Sequence, residues 1–554
     1  MKKKYILIIL IIVTGLFSCK KNFLDETPLD FLSGDNAYIT YSDFTTAVND
    51  MYRVTRAEFY TKDENYPFDY MYGCDIVYDG QPYVGRHTPM ASAYSPAGSQ
   101  NIPGSHWNAF YKIISEANAI IDRSANSTLT DAQKKLVAAQ AKFFRAMSYR
   151  SLSYLFGGVP LVVHEVTGPK TDFTRATKEE VLAQCIDDLK FAVANLPSIE
   201  MVTDGQVNSQ AAGHLLSEVY LAAGEFQNAA DAATKVISDP NVKLMTARFG
   251  SKSSVATGNV YWDLFQPGNQ NRKSGNLEGL WVIQFETDVP GGASVTTGQA
   301  GNYLLERHVG PNVSLITKPT PNPFLWPVDD LSGGRGVGWA ISTKHFSDEI
   351  WTSDFNNDIR NANINFVRNF TSNNPASPLY GTIISTQNPP SGITVPSRQL
   401  YAYEGKATTP GGHPAALIQN ASTGLLKSSA GGTYLDQYMF RLAETYFIRA
   451  EAYLGLNNKT AAAADINVVR VRSKANPIAS TDINIDYILD ERLRELGYEE
   501  KRRLTLMRLG LWYDRVKRFN PYYSDALPLY NVWPIPQAEI ERNNTGTLAQ
   551  NPGY

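Results

Sequence analysis

Apolar residues recur at three- and four-residue spacing across positions 131–155, where Leu136, Ala139, Phe143, Met147 and Tyr154 share one face, and this spacing predicts the chain's first strong helix. Gly157-Gly158-Val159-Pro160 stops it, with glycine at the cap and proline just beyond. The next helix opens at Thr177-Lys178-Glu179-Glu180, a capping box, and presents Val181, Leu182, Cys185, Leu189 and Ala192 before Leu196-Pro197 ends it. Both stripes need partners. Two helical hairpins supply them, one with helices at 209–223 and 228–237 around Gly224-Glu225-Phe226, the other at 441–454 and 460–474 around a turn that opens with Gly455.

Each hairpin carries Tyr-Leu shortly before its glycine (Tyr220-Leu221 and Tyr453-Leu454) and alanines after it, where two backbones approach closely. The grammar resembles tetratricopeptide hairpins, although neither copy meets the full consensus and unrelated antiparallel helix pairs are the alternative. Between the hairpins, residues 250–435 are rich in Gly, Pro, Asn, Ser and Thr, with only short strand-like runs such as 280–285, and so long a stretch of loops in a compact protein is usually functional. A second irregular stretch, 60–107, gathers Tyr60, Tyr66, Tyr70, Tyr72, Tyr78, Tyr83 and Tyr94. The expected fold is mostly α: a tetratricopeptide-like scaffold of helical hairpins with long irregular loops and a few short strands.

At the N-terminus, Lys2, Lys3 and Lys4 precede an apolar run at 5–13, too short for the ~20 residues that span a bilayer, and Leu16-Phe17-Ser18-Cys19 reads as a lipobox. An ordinary signal-peptidase site would want a small residue where Leu16 stands. The expectation is a lipoprotein signal peptide at 1–18, lipid on Cys19 and a polar tether at 19–30, anchoring the chain without spanning the membrane. Net charge is −3, from 51 basic and 54 acidic residues, which gives no reason to expect nucleic acid as a partner. The 31 tyrosines and 8 tryptophans stand out against 7 histidines. Such rings suit surfaces that are apolar at one end and wet at the other, although most are expected in the core. Of the three cysteines, Cys74 and Cys185 are expected as free thiols, Cys185 in the core.

Catalytic signatures are absent: no zinc-protease His pair, C-x-x-C, G-x-S-x-G or Walker loop occurs. The glycine run 333–338 lacks the strand and spacing of a dinucleotide site and reads as a flexible loop. Asp354-Phe355-Asn356-Asn357-Asp358 has calcium-ligand chemistry without the glycine and closing glutamate of an EF-hand loop. Asp329-Asp330 and Glu499-Glu500 are the adjacent acidic pairs, and the charged run 490–503 reads as a solvated helix face. No cofactor or metal is implied.

Arg441-Leu442-Ala443-Glu444-Thr445-Tyr446 with Arg449-Ala450-Glu451-Ala452, Asp490-Glu491-Arg492-Leu493-Arg494-Glu495-Leu496 through Arg502-Arg503, Trp533-Pro534-Ile535-Pro536-Gln537-Ala538-Glu539-Ile540 and Gln550-Asn551-Pro552-Gly553-Tyr554, in this order and spacing, resemble the SusD/RagB family. Ala141-Lys142-Phe143-Phe144-Arg145-Ala146, Leu155 through Leu161, and Phe23-Leu24-Asp25 with Pro28 after Cys19 agree with it. The resemblance implies one domain at 31–554, with an N-terminal helical part at 31–240, a loop-rich ligand region at 241–435 and a C-terminal part at 436–554. It also implies a non-catalytic, lipid-anchored outer-membrane protein facing the cell exterior, which captures a glycan or oligosaccharide for a SusC-like TonB-dependent transporter. Family export signals are often acidic, whereas here Lys20-Lys21 precedes Asp25-Glu26. A peptide-binding transporter partner and a surface glycoside hydrolase are the alternative readings.

A sugar ring needs a flat aromatic platform with charged or amide groups at its rim. In the first loop region the candidates are Tyr70, Tyr72, Tyr78 and Tyr83, with Asp75, Asp79 and Arg86 at the rim. In the second they are Tyr303, Trp326 and Trp339, with Asp329 and Arg335. Trp326, between Pro323 and Pro327, leads them, while Trp281 lies within the strand-like run 280–285 and is expected in the core.

Overall fold

The helices begin where side chains can satisfy the first free backbone amides. In the computed structural model, which describes residues 37–61, 65–81, 86–98, 101–285, 287, 292–296, 302–326, 334–407 and 411–554, capping boxes open α1 (Tyr41–Arg56, Thr40 with Asp43), α3 (Asp131–Phe156, Thr130 with Gln133) and α4 (Lys178–Asn195, Thr177 with Glu180). Two of the long helices were not expected, α1 and α2 (Ile102–Ala125). The opening Ile102-Pro103-Gly104 of α2 has the composition of a loop, yet proline is well placed in a first helical turn, where its missing N–H is no loss. The leader, Cys19 and the tether lie outside the described residues.

The scaffold is a row of antiparallel helices in which each packs on the next: α2, α3, α4, α5 (Ser209–Ala222), α6 (Phe226–Ile237), α7 (Leu442–Gly455) and α8 (Lys459–Arg472). The two hairpins, far apart in sequence, become neighbours at the α6–α7 junction. Gly455 leaves room there for the Phe226 ring, since a Cβ would stand 2.6 Å from it. Arg449 bridges the junction, donating to Thr234 Oγ1 at 3.0 Å and pairing with Asp465 of α8 at 2.6 Å. Strands β2 (Gly279–Ile283) and β4 (Gln437–Arg441) pair antiparallel and carry the chain into α7. The described residues of 241–435 otherwise form loops, single helical turns and two-stranded ribbons, among them Asn369–Thr371 with Ile383–Ser385. Trp281 is buried, as expected, and Cys74 and Cys185 are buried free thiols.

The charged run is not solvated. Glu491 and Glu495 of α9 (Ile485–Glu495) are fully buried, because cations arrive from distant segments to meet them. Arg441 Nη1 donates to both Glu278 and Glu495 at 2.6 Å, Arg472 pairs with the same two carboxylates, and Arg360 reaches Glu495 at 3.1 Å and Glu491 at 2.8 Å. Arg470 joins Glu491 to Asp354, and Asp358 holds Arg360, so the two aspartates of the calcium-like motif are engaged by arginine. Arg502 and Arg503 are equally buried.

Burial pushes the Glu495 carboxyl up, but Arg472, Arg441 and Arg360 outweigh it and hold it at about 2. Glu491, Glu444 and Asp75 are likewise held well below the usual carboxylate range against burial, by Arg494, Arg492 and Arg502 respectively, with further cations beside each. Carboxyls depressed in the folded state contribute stability that is present above their unfolded value of ~4 and is lost as pH falls through the folded one. Glu404 and Glu116, raised by burial to about 7, Asp79, raised to about 6, and Asp465 act in the opposite sense. The depressed group, which also includes Asp69, Asp354 and Asp490, outnumbers them. The urea midpoint is therefore expected to fall steadily as pH is lowered from ~5 towards 2, and an unchanged midpoint at pH 3 would contradict the ion-pair assignment.

Candidate functional site

Backbone pairing brings the two irregular regions together. Strand β1 (Val77–Asp79) runs antiparallel to β3 (Ala340–Ser342), and the ladder extends through Gly80 N–H to the Trp339 carbonyl at 2.7 Å and Trp339 N–H to the His308 carbonyl at 3.1 Å. The segment before β3 is the glycine run, and residues 334–338 are buried rather than flexible. A Cβ on Gly336 would lie 2.4 Å from the Gly310 carbonyl, and Gly338, at φ +68°, lies against the Arg398 backbone. Glycine is what lets these main chains touch. Glu306 closes the turn from beneath: Oε1 accepts from the Arg335 amide at 2.7 Å, and Oε2 lies 2.6 Å from His413 Nε2.

Two indoles stand on this frame. Trp326 is 46 % exposed, with the Arg335 guanidinium 5.0 Å from its ring centre. Trp339 is half-buried between the Arg307 guanidinium, 4.9 Å over the ring, and the edge of His308 at 5.1 Å, and its Nε1–H has no acceptor. The Trp326 segment is braced from behind: Leu325 N–H donates to Asn373 Oδ1 at 2.9 Å, Ser372 Oγ to the Pro323 carbonyl at 2.6 Å, and Asn374 Nδ2 to the Asn322 carbonyl at 2.6 Å. These braces belong to the ribbon whose turn presents Tyr380, 57 % exposed. Sequence reasoning missed Tyr380, although a ring among Asn374-Pro375, Ser377-Pro378 and Gly381 carries the signal of an exposed turn. It also missed Tyr522, 53 % exposed, which stacks on Tyr78 with centroids 3.4 Å apart. Burial raises the neighbouring Asp79 carboxyl to about 6.

The remaining candidates are placed differently. Tyr70 is buried with its hydroxyl on Glu58, Tyr72 is buried with its hydroxyl 2.8 Å from His308 Nδ1, and Tyr303 is buried against Phe68 and Tyr60. Asp75 is fully buried between Arg502 and Arg515, and Arg86 makes a forked ion pair with buried Asp69. These five are corrected to structural roles, since Tyr70, Tyr72, Tyr303 and Asp75 are buried and the Arg86 guanidinium is engaged by buried Asp69. Tyr78 is the covered ring beneath Tyr522. Tyr83 and Asp329 lie outside the described residues. Among the described residues no group of His, Cys, Asp and Glu side chains is arranged to hold a metal, and no helix is long and apolar enough to cross a membrane.

Two family models match the chain, one described as the SusD family over residues 283–554 and one as starch-binding, associating with the outer membrane, over 23–221. SusD-like protein P2 of Formosa agariphila is 24 % identical across the full length of both chains. Among solved structures, a laminarin-binding SusD-like protein is 21 % identical, with TM-score 0.66 over 93 % of this chain and all of the other. Surface glycan-binding protein A of Bacteroides thetaiotaomicron is 18 % identical, with TM-score 0.65 over the same shares. At these identities the structures establish a shared fold.

Proposed function

Because this chain is a SusD-like protein, from a family of binding proteins rather than enzymes, we propose that it captures oligosaccharide on the face carrying Trp326 and Trp339 and passes it to a SusC-like TonB-dependent transporter. The observation that carries the reading is Trp326: a large ring left exposed, backed by Arg335 and held by hydrogen-bonded loops, so little ordering is needed when a sugar stacks on it. Trp339 adds a half-buried ring, and Arg335 and Asp79 add charged groups of the kind that hydroxyls use. Starch-binding and laminarin-binding relatives favour a glucan among glycans. Lipid at Cys19 would hold the protein at the outer membrane, with residues 20–30 as the slack that lets it hinge over a transporter mouth.

Titration calorimetry with laminarin and starch oligosaccharides, beside a peptide mixture, tests this. Trp326→Ala is expected to weaken glucan binding at least about tenfold, ~1.4 kcal/mol, with little change in melting temperature, because the ring packs on solvent. Heat with peptides and none with any glycan would replace the reading with peptide capture. Turnover of a glycan by the purified protein would replace it with hydrolysis.

A further inference from the structure

A pocket of about 320 Å³ opens beside α2, walled by Trp107 and Tyr111 of that helix, Phe173 and Leu548. Its volume lies near the lower end of the ~300–1,000 Å³ typical of small-molecule sites, which suits one ring rather than a chain. It shares no lining residue with the Trp326 face. A run of packed rings, from Phe156 through Trp533, Tyr94, His87 and Tyr72 to His308, stands between Trp107 and Trp339.

The walls are fixed before any ligand arrives. Trp107 and Tyr111 stand four residues apart and so share one face of α2, with ring centres 4.8 Å apart. Trp107 packs at right angles to Phe156, 5.1 Å between centres, and the Tyr111 hydroxyl donates to the Pro160 carbonyl at 2.7 Å. Asn543 holds the Phe173 backbone twice, Oδ1 accepting from its amide at 2.7 Å and Nδ2 donating to its carbonyl at 2.8 Å. Rings held in this way need little ordering when a ligand enters.

The mouth differs in character from the walls. Asn108, Lys170 and Arg542 are exposed there, beside half-buried Glu539. Its charges are balanced within the chain, since Lys170 pairs with Asp172 at 2.6 Å and Arg542 with Glu539 at 2.5 Å. No charge is therefore asked of a ligand, whereas the ammonium, the guanidinium, the carboxylate and the Asn108 amide all keep donors or acceptors to spare. An apolar floor under a neutral mouth that both donates and accepts matches a pyranose, with its C–H face and its rim of hydroxyls. A hydroxyl-free aromatic would use the walls and leave the mouth idle.

We infer that this pocket is a second binding site, for a single neutral hexose unit whose C–H face rests on the Trp107, Tyr111 and Phe173 rings while its hydroxyls meet Asn108, Lys170 and Glu539. The test is saturation-transfer NMR and calorimetry on the full mature chain carrying Trp326→Ala, with the methyl glycosides of glucose, galactose and mannose beside toluene. At least one glycoside is expected to bind, more tightly than toluene and with an affinity that sodium chloride leaves unchanged. Adding Phe173→Ala should cut that affinity at least about tenfold, and Asn108→Ala should cut it about threefold without altering any contact of toluene. Asn108 is exposed on α2, so its variant reports on binding without loosening the fold, and it decides the matter if Phe173→Ala lowers the melting temperature. No binding of any glycoside, toluene bound in preference to them, or a folded Phe173→Ala or an Asn108→Ala that binds as the parent does would each overturn the proposal. Because the protein used lacks the Trp326 ring, failure here leaves glucan capture at that face standing, and failure there leaves this pocket standing.

Discussion

Glu495→Ala is expected to lower the unfolding free energy by ~3–5 kcal/mol, the range for breaking a buried ion pair by removing one partner. Glu495 is the hub at which Arg441, Arg472 and Arg360 meet, and none of the three is exposed. Removing the carboxylate leaves three guanidinium groups at close quarters with Glu278, Glu491, Glu499 and Asp358 as their remaining carboxylates. Urea unfolding followed by tryptophan fluorescence reads the loss, and Glu495→Gln, which keeps the shape and some hydrogen bonds, should lose less. A change below ~1 kcal/mol, the level of a solvated surface pair, would show that water reaches the cluster.

Asp75→Asn is expected to cost ~3 kcal/mol or more while leaving glucan affinity within about twofold wherever the protein is folded. Asp75 was read from the sequence as a rim group for a sugar. In the structure it takes Arg502 Nε and Nη2 at 2.8 and 2.7 Å and Arg515 Nε at 2.8 Å, with no exposed surface. Those arginines come from α10 (Arg502–Arg508) and α11 (Trp512–Phe519), so the aspartate ties the first loop region to the C-terminal part. Paired measurements of melting and binding decide the matter. Binding lost at an unchanged melting temperature would return Asp75 to the ligand site.

Both variants touch what the sequence concealed. The helices at 131–155 and after Thr177, the two hairpins and the strand at 280–285 were legible because local spacing and caps determine them. Burial of a charged run depends on partners far along the chain: nothing near Glu495 announces Arg360 or Arg472. The tyrosines of the first loop region were misread for the same reason, since Glu58 for Tyr70 and His308 for Tyr72 come from other elements. Trp326 was legible as an exposed ring because proline brackets keep it from folding inward. Tyr380 and Tyr522 needed the tertiary structure to show which rings stay uncovered.

The α6–α7 junction also bears on how the molecule assembles. Each hairpin is local and can form quickly, but their contact closes the loop of residues 238–441, which carries Trp326, Trp339 and β3, and closures of that length are slow and entropically late. The row of helices and the binding face should therefore become native in one late, cooperative event. A chain still in transit has no finished face with which to capture a sugar, so ligand engagement is confined to protein that has completed its fold.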